Sequence, residues 1–159
     1  MSNKVLKKIV YLVEATLVSP LCVSNGDNYL TDMDAIKDYS GRPFIPGSSL
    51  AGAMRNYLGI AADKNCIFGY ENMEDGQMSS VYVSDFQFVG DFSFKIRDGI
   101  ALSKQKMTIE GAKYDMEVVD SGAKGYFYFE LVIRNNDNEA DVLQQVILWM
   151  ETRRYPTWC

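Results

Sequence analysis

From residue 5 to residue 18 apolar and polar side chains alternate, with Ile9, Tyr11, Val13, Ala15 and Leu17 on one side, which predicts a long half-buried strand. Residues 19–46 hold no period and are rich in Ser, Asn, Gly, Asp and Pro, so they predict a loop, and loops this long in a compact domain usually serve a function. Over residues 48–59 the apolar positions Leu50, Met54 and Leu58 recur every four residues and Gly59 follows, which predicts a helix and its stop. An irregular stretch covers residues 60–79. A second strand is predicted over 81–88, where Val81, Val83 and Asp85 alternate with Tyr82, Ser84, Phe86 and Phe88. Residues 90–120 are too polar and too Gly-punctuated for core, but β-prone pieces near Phe92–Ile96 and Tyr114–Val119 predict a protruding, thumb-like hairpin. Residues 126–133 form a third strand with Phe127, Phe129, Leu131 and Ile133 facing one way. Residues 138–151 then carry the apolar stripe of a second helix, entered at Asp137 or Asn138 and closed by Arg153, Arg154 and Pro156.

The predicted order is β-α-β-β-α within one domain of 159 residues. It describes an α+β, ferredoxin-like (RRM-like) fold that lacks its last strand. Without that strand, the first strand has an unpaired edge and part of the second helix's apolar stripe is uncovered. The chain is then either a fragment, a naturally short subunit, or one that a neighbouring chain completes.

Composition narrows the chemistry. A hydrophobic share of 47% with 23% charged residues is that of a soluble globular protein, and no apolar run approaches the ~20 residues that cross a bilayer, so a cytoplasmic location without membrane partners is expected. Cys22, Cys66 and Cys159 have neither disulfide-framework nor zinc-site spacing. The chain has no histidine, which excludes Ser-His-Asp and Cys-His catalysis and every ribonuclease mechanism that needs imidazole. Any catalysis must use carboxylates, Tyr, Lys, a thiol or a recruited metal ion. The net charge of −5 opposes indiscriminate nucleic-acid binding. Residues 95–113, however, carry Lys95, Arg97, Lys104, Lys106 and Lys113 against Asp98 and Glu110, a local charge of +3. This segment reads either as a nucleic-acid-facing arm or as a solvated loop.

The run Arg42-Pro43-Phe44-Ile45-Pro46-Gly47-Ser48-Ser49-Leu50-Ala51-Gly52-Ala53-Met54-Arg55 is the most informative motif. Two prolines and a glycine build a rigid turn into a helix, and Ser48 or Ser49 can cap it, so the helix start presents N–H groups to an anion. An ordinary capped helix packed on a sheet is the alternative. Just upstream, residues 27–38 concentrate Asp27, Asp32, Asp34 and Asp38. Hard oxygen ligands of this kind can hold Mg²⁺ or another divalent ion and activate a nucleophile beside a phosphate. Equally, they can make Asx-turns in an acidic surface loop.

This run resembles the Ile-Pro-Gly-Ser-Ser-Leu-Lys-Gly…Arg signature of the RAMP superfamily, specifically the backbone subunits of type III CRISPR effector complexes. A second block agrees: Arg97-Asp98-Gly99-Ile100-Ala101-Leu102 followed by Gly111-Ala112-Lys113-Tyr114-Asp115-Met116-Glu117-Val118-Val119 is similar to the family's Arg-Asp-Gly-Val-Ala…Gly-Ala-Lys-Tyr-Asp region, and the likeness runs over residues 8–135. The resemblance implies a subunit acting in antiviral defense, one that holds guide RNA and positions target RNA among other effector subunits. Gly47, Ser48, Ser49 and Arg55 would grip guide phosphates. Arg97, Lys104, Lys106 and Lys113 would line a thumb that wedges between bases, with Met107, Ile109 and Tyr114 as its apolar contacts. In target-cleaving relatives a loop aspartate upstream of the signature carries endoribonuclease activity. Counting back six residues from Asp38 places that role, with the divalent metal, on Asp32, and Asp34 is its close rival. The chain departs from the family at Ala51, where many relatives carry Lys. Arg55 could instead form a surface salt bridge, and Tyr126 and Tyr128 could stack on bases or simply pack. The alternative function is a non-catalytic capping or truncated RAMP subunit that works through protein–protein assembly.

Overall fold

A computed structural model describes residues 4–26, 29–57, 67–71, 76–102 and 108–134. Its elements are β1 (Val5–Thr16), β2 (Phe44–Ile45), α1 (Gly47–Tyr57), β3 (Tyr70–Glu71), β4 (Gly76–Gln77), β5 (Val81–Val83), β6 (Phe86–Val89), β7 (Phe94–Leu102), β8 (Thr108–Val119) and β9 (Lys124–Arg134). The fold is α+β and built mainly from antiparallel pairs. The main sheet runs β1-β9-β6-β2 with β5 also on β9, while β3-β4 and β7-β8 form separate two-stranded sheets. The helix expected over 138–151 lies outside the described residues. No helix among the described residues is long and apolar enough to cross a membrane.

The chain folds as two compact units. One collects the chain up to Val13, Pro46–Asp85, and the chain from Phe127; the other collects Glu14–Ile45 and Phe86–Tyr126.

In the first unit, β5 pairs with β9 so that Val81 faces Leu131 and Val83 faces Phe129. Alternation sends Phe127, Phe129, Leu131 and Ile133 into the core beside Val81, Met54 and Ile67, all buried. Burying each of the large side chains contributes roughly 1.5–3 kcal/mol. Tyr11 of β1 meets Phe129 on this face, with ring centroids 6.4 Å apart. The opposite face is open: Leu6, Val10 and Leu12 of β1, Tyr82 of β5 and Tyr128 of β9 are all exposed, and Lys8 pairs with Glu130 at 2.7 Å.

The strand expected over 81–88 is interrupted. Val83 faces Phe129 whereas Gln87 faces Tyr126, so four steps along one strand match three along the other, the signature of a β-bulge. Ser84 repairs the ladder there: its N–H donates to the Tyr128 carbonyl, and its Oγ accepts from the Tyr128 N–H, both at 2.9 Å.

In the second unit, β2 pairs with β6 and β6 with the start of β9. The buried rings of Phe86 and Phe88 meet edge-on at 4.9 Å. The predicted hairpin is present as β7 and β8, longer than its β-prone pieces suggested, with Phe94 opposite Val119 and Gly99 opposite Tyr114. The Tyr114 ring lies over Gly99, where a Cβ would stand 2.3 Å from it and would have to displace the ring. The loop after β1 is not loose. Leu21 and Val119 exchange backbone hydrogen bonds, Ile36 N–H donates to Val23, and Leu21, Val23, Ala35, Ile36, Phe44, Phe88 and Val119 line one small apolar pocket.

Candidate nucleic-acid interface

The entrance to α1 differs from its sequence reading. Neither Ser48 nor Ser49 begins the helix; it starts at Gly47, and the Pro46 carbonyl accepts from the N–H groups of Ser49 (2.9 Å) and Leu50 (3.1 Å). The cap comes from the bulge instead, where the Asp85 carboxylate accepts the Gly47 N–H at 2.8 Å and places negative charge at the positive end of the helix. Gly47 is buried, and a Cβ on it would sit 2.2 Å from the Val83 carbonyl oxygen. Its glycine is therefore demanded by backbone packing, and its N–H is committed within the protein. Ser48 remains exposed and Ser49 half-buried. Arg55 donates to the Gly69 carbonyl at 3.2 Å, tying the helix to the following segment.

The acidic loop is ordered by its own aspartates. Asp34 is buried and accepts from the N–H groups of Tyr29 (2.7 Å), Leu30 (3.0 Å) and Thr31 (2.8 Å) and from the Thr31 hydroxyl (2.8 Å). These donors, the Leu30 N–H foremost, hold its carboxyl down at about 2 against the opposing effect of burial. Asp38 closes the next turn by accepting from Ser40 N–H, Ser40 hydroxyl and Arg42 N–H; the Ser40 hydroxyl is the main cause of its lowered pKa.

Asp32 behaves differently. It is exposed and pairs reciprocally with the hairpin: its N–H donates to Asp115 Oδ1 at 2.8 Å, and its Oδ2 accepts the Asp115 N–H at 3.0 Å. Next to it, Met33 bridges Met116 in parallel and accepts the Glu117 N–H at 2.9 Å. Thus β8 gains a short third strand made of loop.

Cross-strand register fixes which side chains share that side of the hairpin. Ile96 faces Glu117, Asp98 faces Asp115 and Ile100 faces Lys113, so all six stand on one face. Ile96 and Ile100 are 65% and 55% exposed, two large apolar side chains presented on one face of the hairpin. Lys113 lies 3.6 Å from Asp98 with both side chains exposed. Arg97 belongs to the other face, in the same phase as Lys95, which forms an ion pair with Asp120; Lys95 foremost, with Arg97 assisting, lowers the Asp120 pKa. Lys104, Lys106 and Met107 lie outside the described residues, as does the side chain of Ile109. Tyr114 covers Gly99.

Among the described residues no three Asp, Glu, Cys or His side chains gather as a metal-binding group. Asp32 and Asp115 are joined through each other's backbone N–H groups. Mg²⁺ commonly takes one or two carboxylates from protein and completes its shell with phosphate oxygens and water, a requirement that Asp32 and Asp115 could meet.

Five contributing residues escaped the sequence reading. The Asp85 cap depends on a bulge with no local signal. Asp115 and Glu117 meet the loop only through tertiary pairing. Ile96 and Ile100 did carry a signal, being two turns of strand alternation apart on one face.

The family model of the RAMP superfamily matches residues 14–154, and the chain belongs to that superfamily. Among solved structures, it is similar to a chain of the type III-B Cmr-beta complex bound to cognate target RNA, with TM-score 0.63 and 16% identity over 91% of this chain and 51% of that one. It is also similar to a chain of type III-B Cmr-beta in the apo state, with TM-score 0.61 and 11% identity over 87% of this chain and 88% of that one. This chain thus spans about half the length of the first and most of the second. A comparison with curated proteins finds none that matches.

Proposed function

We propose that the chain is an RNA-binding subunit of a CRISPR type III effector complex, one that holds guide RNA, positions target RNA and contributes Asp32 to cutting it. Membership of the RAMP superfamily and likeness in fold to Cmr-beta chains, one of them in a complex bound to target RNA, support the class. The observation that carries the reading is the hairpin face on which exposed Ile96 and Ile100 stand in line with Asp115, the residue that holds Asp32. Apolar side chains at the edge of a base stack can part neighbouring bases, as they do in architectural nucleic-acid binders, and a carboxylate fixed beside the opened step can reach the backbone there. Specificity then comes from pairing between guide and target, with the protein gripping backbone shape.

Asp32 is preferred to Asp34 on geometry. Four donors occupy the Asp34 oxygens, whereas Asp32 Oδ1 accepts no hydrogen bond from the described residues. In a chain without histidine, an exposed carboxylate is the fitting group to take up a proton or to hold a cation. A bound Mg²⁺ would supply charge stabilisation for the phosphate, with Asp32 and Asp115 as its protein ligands. Ser48 and Ser49 are the residues at the entrance of α1 proposed to meet guide phosphate, and Lys113, Arg97, Lys104 and Lys106 those proposed to neutralise backbone charge along the hairpin. The assembly would act in the cytoplasm.

Reconstitution with guide RNA and companion subunits tests this reading. Asp32→Asn keeps an acceptor for the Asp115 N–H, so assembly and target binding should be unchanged while cleavage falls on the order of 10²- to 10⁴-fold. Unaltered cleavage would remove the catalytic role. The second reading, an assembly subunit without catalysis, is favoured by the exposed apolar residues Leu6, Val10 and Leu12 on β1, an edge strand of the described sheet. It would be supported by intact cutting in the Asp32→Asn complex together with loss of assembly in Leu12→Lys.

A further inference from the structure

We infer that Glu117 is a positioning residue that locks the Asp32 loop to the thumb-like hairpin, so that the hairpin and the carboxylate move over RNA as one body. This rests on the reading of Asp32 given above.

Five contacts define the lock, and all lie within the second compact unit. Glu117 is buried on β8, with its side chain 8% exposed. One of its oxygens accepts the Ala35 N–H at 3.1 Å, and the Lys37 ammonium sits against both oxygens at 2.9 and 2.8 Å. That same ammonium lies 4.5 Å from the centre of the Phe94 ring on β7, so Lys37 is held by both hairpin strands. The Met33–Met116 bridge and the reciprocal Asp32–Asp115 pair extend the attachment to the loop's exposed end. A carboxylate that gains an ion pair and a backbone donor at a buried position is hard to replace, because removing it leaves both an unpaired cation and an unsatisfied N–H.

The lock explains why an acidic loop is tied to a hairpin at all. A base wedged aside by Ile96 or Ile100 and a carboxylate on Asp32 can act on the same step of RNA only if their separation is fixed. A misplacement of about 1 Å at a reacting centre can cost on the order of 100-fold in rate.

The test compares Glu117→Gln, Lys37→Met and Asp32→Asn in the full chain and in the reconstituted complex, using a single-stranded RNA complementary to the bound guide. Hydrogen exchange of the Asp32, Ala35 and Glu117 amides reads the lock without reference to activity. In Glu117→Gln these amides should exchange at least about tenfold faster while those of β6 do not change, kcat for cleavage should fall on the order of 10- to 100-fold with KM unchanged, and cut positions should spread to neighbouring nucleotides. Lys37→Met keeps the Glu117–Ala35 bond and should show a smaller change in the same direction, which preserves the test if Glu117→Gln does not fold. Asp32→Asn should abolish cutting with exchange unchanged. Normal exchange and unshifted cuts in Glu117→Gln, with cutting lost in Asp32→Asn, would overturn the lock alone. Cutting retained in Asp32→Asn beside accelerated exchange in Glu117→Gln would instead overturn the catalytic reading and with it the positioning role.

Discussion

The entrance of α1 and the acidic loop make opposite use of their polar groups. At the helix entrance the conspicuous Pro-Gly-Ser-Ser motif spends its glycine on packing: Gly47 is buried against Val83, and its N–H is claimed by Asp85. In the loop, whose sequence shows no period, Asp34 and Asp38 consume the backbone donors, and Asp32 is left exposed beside the middle of the hairpin. A strong motif can therefore report a steric demand, while a weakly patterned stretch holds the carboxylate proposed to react. What distinguishes them is where the hydrogen bonds end.

The comparison can be broken at either side. The larger effect is expected at the helix entrance, where Gly47→Ala forces a Cβ onto backbone that cannot give way. Destabilisation of roughly 2–3 kcal/mol in urea unfolding is the expected outcome, by overpacking rather than by loss of a ligand. Unchanged stability would mean that the glycine serves something other than packing.

A smaller effect is expected in the loop. Because the carboxyl of Asp34 is held at about 2, below the ~3.9 of an unfolded Asp, its contribution is complete above pH ~4 and is lost as pH falls through about 2. The amide resonances of Leu30 and Thr31 should titrate with that low midpoint, while a midpoint near 4 would show that the four donors do not hold the carboxylate in solution.

Much of the fold was legible because core strands advertise themselves. Phe127, Phe129, Leu131 and Ile133 alternate without interruption, and β9 follows them from Lys124 to Arg134. The hairpin was legible in outline. The division of residues 81–88 was not, since a bulge is a mismatch between two strands and leaves no period in either one. The site was legible in part. Asp32 and Asp34 were named from the loop's acidity and family resemblance, but only geometry separates a carboxylate saturated by four donors from one tethered through a single oxygen. Glu117 was quoted within a motif, yet its role depends on residues some eighty positions upstream. Long-range pairing of single residues, as at Met33–Met116, has no sequence pattern to read.

The central claim is that the hairpin face bearing Ile96, Ile100 and the tethered Asp32 meets target RNA. A photo-crosslinking phenylalanine analogue placed at Ile96 in the reconstituted complex tests it most directly. Crosslinks to target nucleotides adjoining the cut, absent when the analogue replaces Tyr82 on the open sheet face, are the predicted result. Crosslinks from Ile96 confined to companion subunits would contradict the account.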